Sequence, residues 1–391
     1  MSGVSDLSFS LPSRGKWLAS LGASPEVIEE LLAYDTPLFS AERAARAVAF
    51  DGAAEPHLEA WTRYAEEARS AGAIPALSAR FAQLLFPVRE GVSATESYRR
   101  ATRQGVRPDG DREASGIALA APDRVTLEIA RTSTGPVPVL VAAERADFET
   151  LVRAFSARNE PVAVPDSMGA CIVNGLNNWD RLHEYRKRWQ AANVFGDWSV
   201  EFASVAGRRE LYEDRFLILS VGPYSGVPAA RAGFPEPEWI EISGRIRKAH
   251  EATHYATFRL AGAMRNNLLD ELIADYVGLI AAFGEYRLDL GLLFFGLEDF
   301  PRYREGGRLQ NYRGTPPLSE AALSIAARLV RDAAVNLAKL ESSQPMGAGE
   351  SDVRERVTAL GAMSLDELAA AGPDLPERLA AVRRAGGVPV R

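Results

Sequence analysis

The 391-residue sequence predicts an α+β fold, a small sheet lying between two mainly helical regions. Three observations carry that expectation. Apolar residues recur at helical spacing towards both ends of the chain, β-branched runs bounded by turn residues are confined to its middle, and no internal repeat or low-complexity tract interrupts either pattern. The chain divides accordingly into a helical N-terminal region (1–115), a sheet-containing α+β region (116–235), and a helix pair with a helical C-terminal region (236–391).

The elements follow in order. Ser24-Pro25-Glu26 and Ser40-Ala41-Glu42 each set a hydroxyl and an acid ahead of a helical pattern, so helices start there. Ser93-Ala94-Thr95-Glu96 fits a capping box. Residues 99–112 are charged and punctuated by Gly and Pro, which predicts a loop or boundary. Strands are expected at 125–130, at 137–141 after a Thr-Gly-Pro turn, and at 216–221, a buried strand. Asn174, Asn177 and Asn178 suit a turn, with Asp180 in the first turn of a helix carrying His183 and Tyr185. Further helices are expected near 318–341, 351–360 and 364–371, the last opened by a Ser364/Glu367 capping box.

Composition narrows the function. With 47% hydrophobic and 25% charged residues, the chain can bury more than one core. A net charge of -7 argues against nucleic acid or an acidic membrane as partner. One cysteine, Cys171, excludes an intrachain disulfide, and its apolar surroundings predict a buried, inert thiol. Residues 1–20 hold no continuous apolar stretch and nothing later reaches membrane-span length, so cytoplasmic residence is the expectation.

The chemistry concentrates in His250-Glu251-Ala252-Thr253-His254. Residues four apart share a helix face, so His250 and His254 can hold one metal ion, with Glu251 rotated about 100° beside its open side. Apolar or small residues at 239, 242, 246, 249, 253, 256 and 260 give this helix a core-facing stripe. Pro235 and Pro237 suit its start and Gly262 its end. A second amphipathic helix begins near Asn266 or Asn267 and carries Glu271 and Asp275 on one stripe. A short connection makes the two helices antiparallel neighbours, with His254 about 12 Å before the turn and Glu271 about 7 Å after it. Asp270 is the alternative ligand, since adjacent residues point about 100° apart; Glu271 is preferred because it shares a stripe with Asp275. Two polar-face histidines without a metal are the bland alternative, against which the following carboxylate pair argues. His57 sits in a polar helical stretch with no chemical role expected.

Residues 250–278 resemble the active-site helix pair of the gluzincins, the thermolysin-like metallopeptidases, which join a His-Glu-x-x-His helix to a Glu-x-x-x-Asp helix. The resemblance implies a zincin-like core in which the 216–221 strand supplies the sheet edge for a substrate backbone, Zn²⁺ held by His250, His254 and Glu271, Glu251 as the base that activates water, and Asp275 as the partner of His250. Its substrate would be a peptide or an amide-containing small molecule. Where the family uses a downstream histidine to stabilise the oxyanion, this chain has none after His254. His183, Arg247, Tyr276 and Tyr286 are the replacements considered. Two other readings keep the same ligands: a non-haem Fe²⁺ oxygenase built on the His-His-Glu triad, and a metal-binding protein without catalysis.

Overall fold

The computed structural model describes residues 11–385 apart from 263 and 266, and it is an α+β protein. The chain forms two compact units that interleave along the sequence. The first comprises Met1–Ala53, Thr132–Thr134 and Pro223–Arg391; the second comprises Ala54–Arg131 and Gly135–Gly222.

The first unit opens with α1 (Leu11–Ser20), α2 (Pro25–Tyr34) and α3 (Ala41–Val48). Ser24 and Ser40 cap the latter two, each hydroxyl accepting the N–H three residues on, at Val27 and Arg43. Asp35, just past α2, turns back to accept the N–H groups of Leu365 (2.7 Å) and Asp366 (2.8 Å), the otherwise orphaned donors of a later helix start.

The second unit begins with α4 (Leu58–Ala71), α5 (Ala73–Ser78) and α6 (Glu96–Gln104). Three expectations shift here. Ser93 does not cap: Thr95 accepts from Tyr98 N–H, which puts Glu96 at the first helical position instead of the third. The supposed loop at 99–112 is helical as far as Gln104, because Tyr98 and Ala101 bury one face against Phe86 and Val92; left-handed Gly105 ends it. His57, expected in a polar stretch, is buried at the N-terminus of α4.

β1 (Val125–Thr132) and β2 (Gly135–Ala142) follow, then α7 (Arg145–Ser156), β3 (Ala170–Asn177), α8 (Trp179–Ala192), α9 (Trp198–Val205) and β4 (Glu213–Ser220). The sheet order is β1-β2-β4-β3, with β4 parallel to β2 (Val139 opposite Leu217) and antiparallel to β3 (Cys171 opposite Ile218). The strand predicted at 216–221 exists, but it is internal and cannot serve as a substrate-binding edge. Its unbroken run Phe216-Leu217-Ile218-Leu219 is buried on both faces, the pattern of an interior strand, and both its backbone edges are paired. The asparagine turn also needs correction. Asn174 and Asn177 lie in β3, which bulges between Asn174 and Leu176, and only Asn178 caps, accepting from Arg181 N–H. Cys171, expected buried, is half-buried and touches the Ser156 hydroxyl at 3.2 Å. Trp61, Phe81, Phe155 and Phe216 form this unit's aromatic core, each ring worth roughly 1.5–3 kcal/mol of burial.

The chain then returns to the first unit through α10 (Ala229–Ala232), α11 (Glu236–Ala261), α12 (Leu268–Phe283), α13 (Leu288–Phe295), α14 (Glu320–Ser343), α15 (Glu350–Gly361), α16 (Leu365–Ala370) and α17 (Leu375–Ala385). The Ser364/Glu367 capping box opens α16 as expected. Trp239, Ile242, Ile246, Leu268, Leu272, Ile273 and Leu337 are among the residues of its core. Among the described residues, no helix is long and apolar enough to cross a membrane.

Candidate metal centre

The site rests on α11 and α12. Pro235 and Pro237 sit at the start of α11, where a missing N–H costs nothing, and left-handed Gly262 stops it. Asn267 caps α12 by accepting from Asp270 N–H; Asn266 lies outside the described residues. The helices run antiparallel, since Ile246 meets Gly278, His250 meets Asp275 and His254 meets Glu271. Gly278 sets how closely they pack. A β-carbon there would stand 3.0 Å from the Ile246 carbonyl oxygen and 3.6 Å from His250 Cβ.

On this frame the expected ligands converge. His250 Nε2 and His254 Nε2 are 3.0 Å apart, and the Glu271 carboxylate reaches both, at 3.5 and 3.2 Å. All three side chains are buried, exposed by no more than 4%. A tetrahedral ion with bonds of about 2.0–2.1 Å separates its ligand atoms by about 3.3 Å, so the spacing fits such an ion. Among the described residues, this is the group of His, Cys, Asp and Glu side chains arranged to hold a metal.

Neighbouring groups aim the imidazoles. His250 Nδ1 lies 2.9 Å from Asp275 Oδ1 and 2.7 Å from the Tyr224 hydroxyl, which itself donates to Asp275 at 2.6 Å. A carboxylate and a committed hydroxyl fix the proton on Nδ1, which leaves the Nε2 lone pair facing His254 and Glu271. Asp270, weighed as a ligand, takes the corresponding place behind the other ring: its Oδ1 is 3.3 Å from His254 Nδ1. That approach is too poorly aligned for a hydrogen bond, and both atoms are buried without a partner.

Charge supports the same reading. Three buried carboxylates (Asp270, Glu271, Asp275) surround the two imidazoles, and one guanidinium, Arg308, donates to Asp275 and, at 3.4 Å, to Glu271. Two negative charges are left for protons or a divalent cation to balance. Burial opposes charging His254, but Asp270 and Glu271 outweigh it and hold that imidazole well above its usual range. Burial likewise opposes charging Glu271, and the two histidines outweigh it and hold the carboxyl well below its usual range. Two Nε2 atoms at 3.0 Å need a proton or a metal ion between them, and a metal ion takes the place of the proton that the two carboxylates hold on His254. The residues fit a divalent metal.

The other expected residues divide. Glu251 is half-buried beside His250 and is engaged by no described residue, so its carboxylate is free to act. Arg247 is buried and donates to the Pro223 carbonyl at 3.1 Å, with its guanidinium 5.9 Å from the Tyr224 ring; it braces the Tyr224 segment. The Tyr276 hydroxyl is committed to Glu341 and to Arg356 (2.7 Å), which removes it as an oxyanion donor. The Tyr286 hydroxyl is buried without a partner. His183 is exposed on α8 of the second unit, its ring 6.5 Å from that of Trp179.

Tyr224 and Arg308 were not foreseen. Both come from short 3₁₀ segments, Tyr224–Gly226 and Arg308–Tyr312, where no periodicity aims a side chain. The signals available were weak: glycine-flanked aromatic and cationic residues, in Gly222-Pro223-Tyr224 and Gly306-Gly307-Arg308. No curated protein and no solved structure matches this chain. The chain belongs to a family of unknown function, DUF7005, which it matches over residues 16–372, a span that contains every residue of the site.

Proposed function

We propose that this protein is a zinc-dependent hydrolase that cleaves a peptide or other amide bond, in the manner of the gluzincins that residues 250–278 resemble. One observation carries the reading: two imidazole Nε2 atoms 3.0 Å apart and a carboxylate face a common point, with Asp275 and Asp270 behind the rings. Two histidines and one carboxylate leave a coordination position for a reactant. Zinc, when bound, supplies a Lewis acid and a water acidified towards neutrality. Glu251 takes the proton from the attacking water and passes it to the leaving nitrogen. Tyr224 and Asp275 keep His250 in one tautomer, and Arg308 holds Asp275 and Glu271 in place. A base role for Glu251 predicts that Glu251→Gln keeps the metal and slows amide turnover by about 10²–10⁴. Turnover should be the same with and without oxygen. Full activity in the variant would overturn the base assignment, and a strict need for oxygen would turn the reading to iron(II) oxygenation.

A further inference from the structure

The second unit contains a cavity of about 370 Å³ lined by, among others, Gln83, Arg103, Phe155, Arg158, Asn174 and Asn177. In a chain of net charge -7, its wall carries two arginines and no carboxylate. Arg80, Arg145 and Arg181 of the same unit each hold an acid, at 2.6 Å (Glu67), 2.9 Å (Glu149) and 2.5 Å (Asp214). Arg103 and Arg158 have no ion-pair partner among the described residues. Nearby acids are already engaged: Glu160 accepts the N–H groups of Gly91 and Ser93 (2.9 Å each), and Glu213, beside Gly175, faces Arg209 at 3.6 Å.

A further observation points to a ligand. Gln83 is only 8% exposed, yet its side-chain amide has no hydrogen-bond partner among the described residues. The amide atoms open on accessible space, and that space is the cavity. The backbone fixes where Arg158 stands. Arg158 and Asn159 both adopt left-handed conformations, with φ of 54° and 61°. Asn159 has a structural reason, because its amide bonds the Gln83 and Phe86 carbonyls (2.9 and 3.1 Å) and accepts from Tyr98 (3.1 Å). The same turn accounts for Arg158: the Glu160 N–H donates to the Ala157 carbonyl (3.0 Å) and the Asn159 N–H to the Arg153 carbonyl (2.9 Å), which closes the chain around both left-handed residues and sets Arg158 at the cavity wall.

We infer that this cavity binds a small polar oxyanion, a carboxylated or phosphorylated metabolite. Its anionic group is held by Arg103 and Arg158, and its neutral polar atoms meet the amides of Gln83, Asn174 and Asn177. Arg215 already occupies the Asn174 carbonyl oxygen (2.9 Å), so Asn174 offers its NH₂ donor. The volume is that of a small organic ligand and exceeds what a lone inorganic ion fills. This site is independent of the proposed hydrolase reaction.

Calorimetric titration of the full chain with inorganic phosphate, succinate and glucose 6-phosphate, with glucose as the neutral control, tests the inference. At least one of the anions should bind saturably and glucose should not. Arg103→Gln/Arg158→Gln should weaken that binding at least tenfold; both side chains are exposed and unpaired, so the variant keeps its fold. Gln83→Leu should weaken it as well, although it removes no charge. Absence of saturable binding by all three anions, or equal affinity in the arginine variant, overturns the site. Unchanged affinity in Gln83→Leu would reduce it to non-specific charge attraction and overturn it too.

Discussion

Asp275 shows how much one side chain decides here. It contacts His250, Tyr224 and Arg308 at once and is completely buried. Asp275→Asn keeps the shape but removes the charge that fixes the Nδ1 proton. Zinc affinity, read by competition with a chromophoric chelator, should fall about 10–100-fold. His57 gives a test remote from the metal. Burial lowers its pKa to about 4, against 6.5 when unfolded, so the unfolded chain takes up the proton first. Stability contributed by the neutral ring is complete above pH 6.5 and is lost as pH falls towards 4. Relative to His57→Phe, the wild type should lose on the order of 2 kcal/mol between pH 7 and 4.5 in urea unfolding. Asp214, raised to about 6 by burial, works in the opposite sense, but it is common to both proteins and cancels from the comparison.

At the scale of elements, the α11–α12 pair was legible because local chemistry and periodicity agree there. Proline opens α11, glycine closes it, Asn267 caps α12, and the polar stripe is fixed by helical spacing. What spacing could not assign was the division of labour between Asp270 and Glu271, which depends on how the helices are rotated against one another. The helix within 99–112 was hidden by its charge, because only Tyr98 and Ala101 anchor it. The place of β4 in the sheet was likewise hidden, since pairing order is a long-range property that a strand's own residues do not encode. Gly278 marks where the helix pair is tightest. Gly278→Ala makes the Ile246 carbonyl and side chain give by a few tenths of an ångström, a strain of roughly 1–3 kcal/mol set against about 1 kcal/mol of helix propensity gained, so thermal unfolding should show at most a small net loss of stability.

For the whole molecule, the two units hold different features: the candidate metal ligands lie in the first, and the sheet and the arginine-lined cavity in the second. Neither could be delimited along the sequence, because the chain leaves and re-enters the first unit. A metal that binds only the folded state stabilises it by about 2.7 kcal/mol at a hundredfold excess over Kd. Chelation should therefore speed hydrogen exchange in α11 and α12 and leave β2 and β4 as protected as before. The most direct measurement is metal content by mass spectrometry, on wild type and His250→Ala, after one equivalent of zinc is added and unbound metal removed. The convergence of His250, His254 and Glu271 predicts about one zinc per chain in the wild type and almost none in the variant. A zinc-free wild type, or equal zinc in both proteins, would contradict it.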